Sequence, residues 1–425
     1  MIFGVLGGLL GLLATGMPIF VVLGTIAVVL FWIQGVPLIG VSQVVVDRLN
    51  SGALIAIPLF VIAATFMQRG GIAKALIDFA SAIVGSVRGG LGLVCVVATT
   101  VFAAISGSSV ATAMAMGTIL VPAMIAHQYE RKFAVGVVGA SGTLGILVPP
   151  SLVLIIFAII AEESVPRLFL AGVIPGLLQA VLFAGYILWY ARRKNYPRAE
   201  RLPVRDAIRA TIHALPALSI PIIVFVGIYG GIVTVAEAAA LSAIVAIFAS
   251  MFAYREITFR DIMPVLAESM RAAGAIIVII VGALLFGHWI TESGIPARIV
   301  EFAISLDLKA WQFLMFVNIM MLVLGMFLEG IAVTLIVLPL VLPLLAPLGI
   351  SPIHFAIVLT INIELALLTP PVGLNLYVLQ SISRTPIGEV IRGTWPFIFL
   401  LFLLLMLVTY VPIISTWLPS FVFDG

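Results

Sequence analysis

The sequence predicts an all-α polytopic membrane protein made of two inverted repeats, each with five spans, including a broken helix, plus one re-entrant hairpin. Three observations lead to this class. Hydrophobic residues make up 63% of the 425 positions and charged residues only 9%, a composition far outside that of soluble proteins. A Pro-Pro pair occurs twice inside apolar sequence, at 149–150 and 370–371. Pro122 and Pro343 precede the two pairs by the same interval.

The spans follow from the apolar runs of the sequence. Ten runs are predicted to cross the membrane: 2–16, 17–33, 53–68, 132–163, 167–190, 213–230, 232–253, 274–291, 354–383 and 394–418. Two further apolar stretches, 90–127 and 311–346, are too long for one span and polar at the middle. We expect them to be hairpins that enter and leave on the same side. Three short amphipathic segments are predicted to lie at the interface: 73–87, 258–271 and 296–307.

The distribution of basic residues sets the orientation of the two halves. We divide the chain into a first repeat at 1–190, a cytoplasmic linker at 191–212 and a second repeat at 213–425. Five crossings in the first half invert the second half. With the linker in the cytoplasm, only Arg48, Arg167, Arg298 and Lys309 of the 21 lysines and arginines lie outside. This predicts both termini on the outer side, the first hairpin opening inward and the second opening outward.

The two halves also align with each other. The second Pro-Pro pair lies 221 positions after the first, and on that offset Ser108 corresponds to Glu329 and Ser109 to Gly330. Inverted repeats with discontinuous helices place a binding site near the membrane midplane. The alternative is a duplicated scaffold in which proline and glycine only help helices to pack. Because a hairpin and a helix break occur in both halves, and the two halves are predicted to be inverted, we favour a transporter over a duplicated scaffold.

The Pro-Pro pairs leave backbone carbonyls without helical donors. Proline has no N–H, so the carbonyls of Gly145, Ile146, Ala366 and Leu367 lose their partners. In hydrocarbon each unsatisfied carbonyl costs several kcal/mol, and a desolvated cation would satisfy it. The half-helix after each pair also directs a positive dipole end at the midplane, which favours an anionic substrate group.

Polar residues beside these breaks are the first candidates for a site. The segment 106–109 (Ser-Gly-Ser-Ser) falls where the first hairpin turns and supplies neutral oxygens for Na⁺ or donors for a carboxylate. Its alternative is a helix-packing motif. Thr369, Gly373 and Asn375 form the matching oxygen-rich cluster at the second break.

Three acidic residues fall within the predicted membrane region. Glu237 ends a Thr-Val-Ala-Glu capping box, so we expect a structural role. Glu329 lies at the second hairpin tip. It either lines the site or is a partly solvated residue without such a role. Glu364 could bind a proton or cation, or could pair structurally. We expect Asn318, Asn362 and His288 to be hydrogen-bonded residues within the bundle.

The sequence offers no sign of an enzyme. It lacks HExxH, GxSxG and the Walker A lysine motif, and its four histidines are scattered. The chain therefore does not hydrolyse ATP itself, and transport has to use a gradient or another subunit.

Three segments resemble the large membrane subunit of tripartite ATP-independent periplasmic (TRAP) transporters, the DctM-like family. These segments are 102–109, 145–151 and 362–377, and the resemblance covers essentially the whole chain. It implies an elevator-type, Na⁺-driven carrier of the bacterial inner membrane, with scaffold and transport domains. It also implies a small four-helix membrane subunit as partner, and a periplasmic binding protein that delivers an organic anion.

The resemblance further implies which residues form the sites. The implied Na⁺ residues are Ser106, Gly107, Gly145, Pro149, Gly325, Ala366, Thr369 and Gly373, and the implied substrate residues are Ser108, Ser109, Glu329, Gly330 and Asn375. The ending Pro-Pro-Val-Gly-Leu-Asn-Leu-Tyr is most similar to the C4-dicarboxylate branch. Two positions depart from it: Ala366 stands where relatives often have glycine, and Gly330 follows Glu329 where that branch resembles Glu-Pro.

Several alternatives accompany this interpretation. Other carboxylates, sugar acids and sulfonates stay open as substrates. The chain could also be a stand-alone ion-coupled carrier of the same superfamily that needs no binding protein. From a different class, it could be a membrane assembly subunit with no substrate path.

Overall fold

The computed structural model describes residues 15–35, 52–198, 202–305 and 307–424, with a few isolated positions before residue 52. Within these residues the regular structure is helical and there is no strand, so the predicted all-α class is confirmed. Most of the predicted first span, 2–16, lies outside the described residues.

The first half contains eight helices within the described residues. They are α1 (Ile19–Ile33), α2 (Gly52–Arg69), α3 (Ile72–Val84), α4 (Gly90–Ser106), α5 (Ser109–Ala126), α6 (Arg131–Leu147), α7 (Leu152–Ala161) and α8 (Val165–Arg193). The predicted first hairpin is the pair α4 and α5, and the predicted first broken helix is the pair α6 and α7.

The second half continues with ten helices within the described residues. They are α9 (Val204–Tyr229), α10 (Val235–Phe248), α11 (Ile262–Glu292), α12 (Ile295–Ser305), α13 (Ala310–Gly325), α14 (Gly330–Leu345), α15 (Pro352–Leu368), α16 (Leu374–Ser383), α17 (Ile387–Tyr410) and α18 (Ile413–Phe423). A π-helical turn, Ala249–Ala253, extends α10. Helices α6 and α15 begin and end 221 positions apart. The inversion of the halves stays a prediction.

The described residues contain eight helical segments that are long and apolar enough to cross a membrane. Large apolar side chains are exposed on these segments, for example Trp395, Phe399 and Ile222. A protein surrounded by lipid has no need to bury such side chains, so the chain is a multi-pass membrane protein.

Three predicted boundaries differ from the structure. The segment 258–271 is not a separate interfacial helix, because α11 runs without a break from Ile262 to Glu292. No proline stands at the expected junction, and Gly274 alone costs about 1 kcal/mol, which packing outweighs. The predicted span 394–418 is instead divided after Tyr410 by Pro412, which begins α18. The linker 191–212 is helical from Val204 onward.

The helices pack into a central and a peripheral group. In the centre, α6 lies against both arms of the first hairpin, and α15 lies against both arms of the second; α6 and α15 also contact each other. The halves exchange contacts reciprocally, because α5 packs on α16 and α14 packs on α7. At the periphery α1 packs on α11 and α2 on α10. This exchange brings both hairpins and both breaks to the middle of the molecule.

A charged cluster fixes the start of α6 against the end of α8. Glu130 Oε1 lies 2.7 Å from Lys194 Nζ, and Glu130 Oε2 lies 3.2 Å from Lys132 Nζ. The hydrogen bond from Lys194 is the main reason why the pKa of Glu130 lies below its usual range. The helix that carries the first break is thereby anchored at its other end.

Candidate functional site

The first hairpin reverses direction in two residues. Helix α4 ends at Ser106, Gly107 takes a left-handed conformation with φ +59°, and Ser108 is the N-cap of α5. The Ser108 hydroxyl accepts from the Ala111 amide at 3.4 Å. Only glycine adopts positive φ without strain, so Gly107 gives the tip its shape.

The tip of the first hairpin rests directly on the first helix break. A Cβ atom on Gly107 would lie 3.1 Å from the Leu152 amide nitrogen and 3.2 Å from the Pro150 carbonyl oxygen. A Cβ atom on Gly145 would lie 2.8 Å from the Ser108 carbonyl oxygen. The structure therefore brings together Ser106, Gly107 and Gly145 with the break that contains Pro149, whose peptide bond to Pro150 is cis.

Two contacts at this break were missed by the sequence analysis. The Ser106 and Thr112 hydroxyls hydrogen-bond at 2.5 Å. A Cβ atom on Gly145 would lie 2.8 Å from Thr112 Oγ1, the same distance as from the Ser108 carbonyl oxygen. The signal for Thr112 was its place one turn after Ser108 on α5. The Ser151 hydroxyl donates to the Ile146 carbonyl at 2.5 Å. The expectation that Ile146 leaves an orphaned carbonyl is therefore wrong.

The second tip and the second break meet in a similar way. The Gly373 amide, at φ +52°, donates to the Met326 carbonyl at 3.3 Å. The Thr369 hydroxyl donates to the Leu365 carbonyl at 2.6 Å, and the Thr369 amide donates to the Ala366 carbonyl at 3.1 Å. As at the first break, one predicted orphan, the Ala366 carbonyl, has a partner within the chain.

The two positions that depart from relatives both lie at tight contacts. A Cβ atom on Gly325 would lie 2.6 Å from the Ala366 Cβ, so glycine at 325 makes room for alanine at 366. A Cβ atom on Gly330 would overlap Ile363 Cγ2. The second tip can therefore approach α15 only because glycine stands at 325 and 330.

A cavity of about 270 Å³ lies between the two tips. It is slightly smaller than the ~300–1,000 Å³ of most small-molecule pockets. Its lining comes from the first tip, the end of α6, the starts of α5, α7 and α14, and from α11 and α15: Gly107, Ser108, Ser109, Val110, Ile146, Leu152, Val153, Ala272, Ala275, Ile276, Ile279, Glu329, Gly330, Ile331, Ile363 and Leu367. Three helix N-termini thus face one small space, which favours a negative charge there.

Four of the five predicted substrate residues line this cavity. Ser108, Ser109, Glu329 and Gly330 do so, and Glu329 is the charged residue among the lining. Asn375 is fully buried and is not part of the lining. Its amide donates to the Ser109 hydroxyl at 2.6 Å, so it connects the second broken helix to the first tip.

Other polar residues take the structural roles that the sequence predicted. Glu237 and Thr234 form the capping box at the start of α10, so that prediction is confirmed. Asn362 Nδ2 donates to Asn318 Oδ1 at 2.8 Å, and Asn318 Nδ2 donates to Thr409 Oγ1 at 3.1 Å. His288 Nε2 lies 3.5 Å from Glu292 Oε1. Glu364, for which the sequence left both a binding and a structural role open, is fully buried beside Thr143.

Comparison with known sequences gives consistent results. Residues 6–414 match the family described as "Tripartite ATP-independent periplasmic transporter, DctM component". The chain is 40% identical to the C4-dicarboxylate TRAP transporter large permease protein DctM of Rhodobacter capsulatus, over 98% of each protein. It is 30% identical to the sialic acid TRAP transporter large permease protein SiaM of Vibrio cholerae, again over 98% of each.

Comparison with solved structures supports the fold. The Alcanivorax borkumensis YdaH transporter superimposes with a TM-score of 0.65 at 15% identity, over 90% of each chain. At this identity the likeness concerns the fold alone.

Proposed function

Because this chain belongs to the DctM family of TRAP transporter large permease subunits, we propose that it imports a small organic anion together with Na⁺ across the bacterial inner membrane. The observation that carries this proposal is the cavity between the two hairpin tips. Each tip rests on a helix break, and the cavity contacts both tips. An anion and its coupling ions would therefore bind within one compact region.

The anion would be held mainly by backbone dipoles. The described residues that line the cavity include no lysine or arginine. The N-termini of α5, α7 and α14, together with the Ser108 and Ser109 hydroxyls, supply the donors. Helix N-termini bind carboxylates and phosphates in this manner. Ser109 is also held by Asn375, so both halves contribute to one anion site.

Sodium would bind where the prolines remove helical donors. Pro149 cannot donate to the Gly145 carbonyl, and Pro371 cannot donate to the Leu367 carbonyl. Around Gly145 stand the Ser108 carbonyl and the Thr112 hydroxyl. Hard cations prefer such neutral and carboxylate oxygens. Each Na⁺ entering down a 100 mV potential releases about 2.3 kcal/mol, so two or more would drive uptake of an anion.

The position of the cavity supports an elevator mechanism. One wall belongs to the central group of helices, and the other consists of Ala272, Ala275, Ile276 and Ile279 on α11. These four side chains are small or apolar and form no polar contact that would resist sliding. We therefore assign the central group to the moving transport domain and α11 to the scaffold.

The substrate and partners follow from the relatives. The relatives at about 40% identity are named as C4-dicarboxylate permeases, and we propose a C4-dicarboxylate or related small carboxylate. A small membrane subunit and a periplasmic binding protein are the proposed partners, as the tripartite family name implies. We further propose that both termini lie in the periplasm, where Arg167 pairs with Asp424 at 2.6 Å.

Replacing Na⁺ tests the coupling directly. In proteoliposomes that contain this chain with its small subunit and binding protein, exchanging Na⁺ for choline should reduce succinate uptake at least tenfold. The measurement is radiolabelled uptake under a fixed membrane potential. Uptake that continues unchanged in choline would contradict the proposal.

Removing one hydroxyl at each break tests the assignment of the sites. Ser106→Ala and Thr369→Ala should each raise the Na⁺ concentration for half-maximal uptake several-fold, because each removes an oxygen beside a break. Ser383→Ala is the matched control, since its hydroxyl makes a similar intrahelical bond, 2.6 Å to Leu379, away from the breaks. If Ser106→Ala and Thr369→Ala need no more Na⁺ than the Ser383→Ala control, the sodium sites lie elsewhere.

A further inference from the structure

A second polar cluster lies where the two halves meet. Thr143 stands on α6 and Glu364 on α15, each six residues before its Pro-Pro pair. The two residues correspond on the internal repeat and contact each other, with Thr143 Oγ1 at 3.4 Å from Glu364 Oε2. Six helical residues span about 9 Å, so this cluster is separate from both breaks yet close to each.

The cluster contains a buried carboxyl group with few hydrogen-bond donors. Thr143, Gln179 and Glu364 are all fully buried. The single hydroxyl proton of Thr143 is directed to the Ala140 carbonyl at 2.9 Å. Because a hydroxyl donates only once, the longer contact to Glu364 provides no good hydrogen bond. A buried carboxylate needs a positive partner or several donors.

Two oxygen atoms in the cluster have no partner at all. They are Glu364 Oε1 and Gln179 Oε1, both inaccessible to solvent. Gln179 is held in place because its Nε2 donates to Thr143 Oγ1 at 3.0 Å. The Gln179 amide group also forms a side-chain hydrogen bond with the Glu364 carboxyl. Three side chains therefore present buried oxygens to one another, and two of these oxygens lack any hydrogen donor.

Among the described residues, no lysine, arginine or histidine forms an ion pair with Glu364. The described lysines, arginines and acids of the helices packed on α15 lie at helix ends, and His354 is ten residues away on α15 itself. Those charged residues are Arg131 and Lys132 on α6, Arg167, Arg192 and Arg193 on α8, and Glu389 and Arg392 on α17. The charged residues directly beside the ends of the helices packed on α15 are Glu130, Glu162, Glu163, Lys194, Lys309, Glu329, Arg384 and Asp424. A buried carboxyl without such a partner takes up a proton or binds a cation from outside the chain, and counting bound sodium ions distinguishes the two.

We propose that Glu364, Gln179 and Thr143 form a further Na⁺ site, separate from the two at the helix breaks. Its ligands would be the Glu364 carboxylate, the Gln179 carbonyl oxygen and the free lone pair of Thr143 Oγ1. Oxygen atoms of this kind are what hard cations take from proteins. The inference rests on the proposed Na⁺-coupled transport. It adds one coupling ion, and that ion is bound jointly by the two repeats.

The test counts sodium ions on the purified full-length chain. Equilibrium binding of radiolabelled Na⁺ should give one ion fewer for Glu364→Gln than for the unmodified chain, since glutamine keeps the size and removes the charge. The coupling ratio from reversal potentials of proteoliposomes should fall by one Na⁺ per substrate. Thr360→Val is the matched control, because its buried hydroxyl, one turn away, bonds only to the Ala356 carbonyl of its own helix.

The outcomes separate the two levels of the proposal. If the unmodified chain shows Na⁺-driven uptake and Glu364→Gln binds the same number of ions, this site is refuted while the proposed function stands. If the unmodified chain binds no Na⁺, the proposed function itself fails. Should Glu364→Gln not fold, Gln179→Leu replaces it, and at least tenfold weaker binding of one ion is expected; an unchanged isotherm would refute the site.

Discussion

Replacing Gly393 by alanine is expected to have the largest effect on stability. Helices α6 and α17 cross there with their backbones in contact. A Cβ atom on Gly393 would overlap the Lys132 carbonyl oxygen, and one on Gly136 would overlap the Gly393 carbonyl oxygen. Backbone atoms cannot rotate aside as a side chain can. We expect a cost at or above the upper end of the usual 1–3 kcal/mol for overpacking, seen as a lower melting temperature and poor recovery of purified protein.

A glycine on the same helix provides the control for this prediction. A Cβ atom on Gly388 would meet nothing within 4 Å. Gly388→Ala should leave the melting temperature unchanged or raise it slightly, because alanine favours helix by up to about 1 kcal/mol. Membrane helices commonly approach closely through small residues. If Gly388→Ala and Gly393→Ala melt alike, the close crossing of α6 and α17 is wrong.

Replacing Gly325 by alanine is expected to have the largest effect on transport. The new methyl group would lie 2.6 Å from the Ala366 Cβ and would push the second tip away from the second break. Overpacking of this kind costs about 1–3 kcal/mol, which corresponds to roughly a 5- to 150-fold change in an equilibrium. We expect Na⁺-driven uptake to fall within that range, while the protein still folds.

A compensating substitution makes this prediction specific. Ala366→Gly removes the methyl group that Gly325→Ala would strike, so the double variant should recover most of the lost uptake. Contacting residues are expected to show such non-additive behaviour. Gly287→Ala offers a control in another helix, because its Cβ would meet Pro339 only at ordinary contact distances of 3.5 and 3.6 Å. Additive losses in the double variant would show that Gly325 and Ala366 do not pack together.

Much of the fold could be predicted because the strongest signals are local. Proline lacks an N–H wherever it stands, so the Pro-Pro pairs define the breaks after α6 and α15. The Ser-Gly-Ser-Ser segment at 106–109 defines the first tip, and the Thr-Val-Ala-Glu sequence defines the start of α10. The start of α11 and the division at Pro412 were missed, because a hydropathy pattern does not show whether a glycine or a proline inside an apolar run interrupts the helix.

The candidate site was predictable as a list of residues but not as an arrangement. The sequence pointed to Ser108, Ser109, Glu329 and Gly330, and the structure places all four around one cavity. The sequence alone could not show that the Asn375 amide donates to the Ser109 hydroxyl and does not line the cavity. The sequence also did not show that the Thr112 hydroxyl bonds to Ser106.

By itself, then, the sequence determined the class, the helix breaks and the internal repeat, since each depends on the chemistry of a few neighbouring residues. Only the tertiary structure decided which tip meets which break, which helix walls the cavity and which buried oxygens lack partners. Those features depend on how helices far apart in the chain cross. The crossings depend on where glycines such as Gly136 and Gly393 allow two backbones to touch.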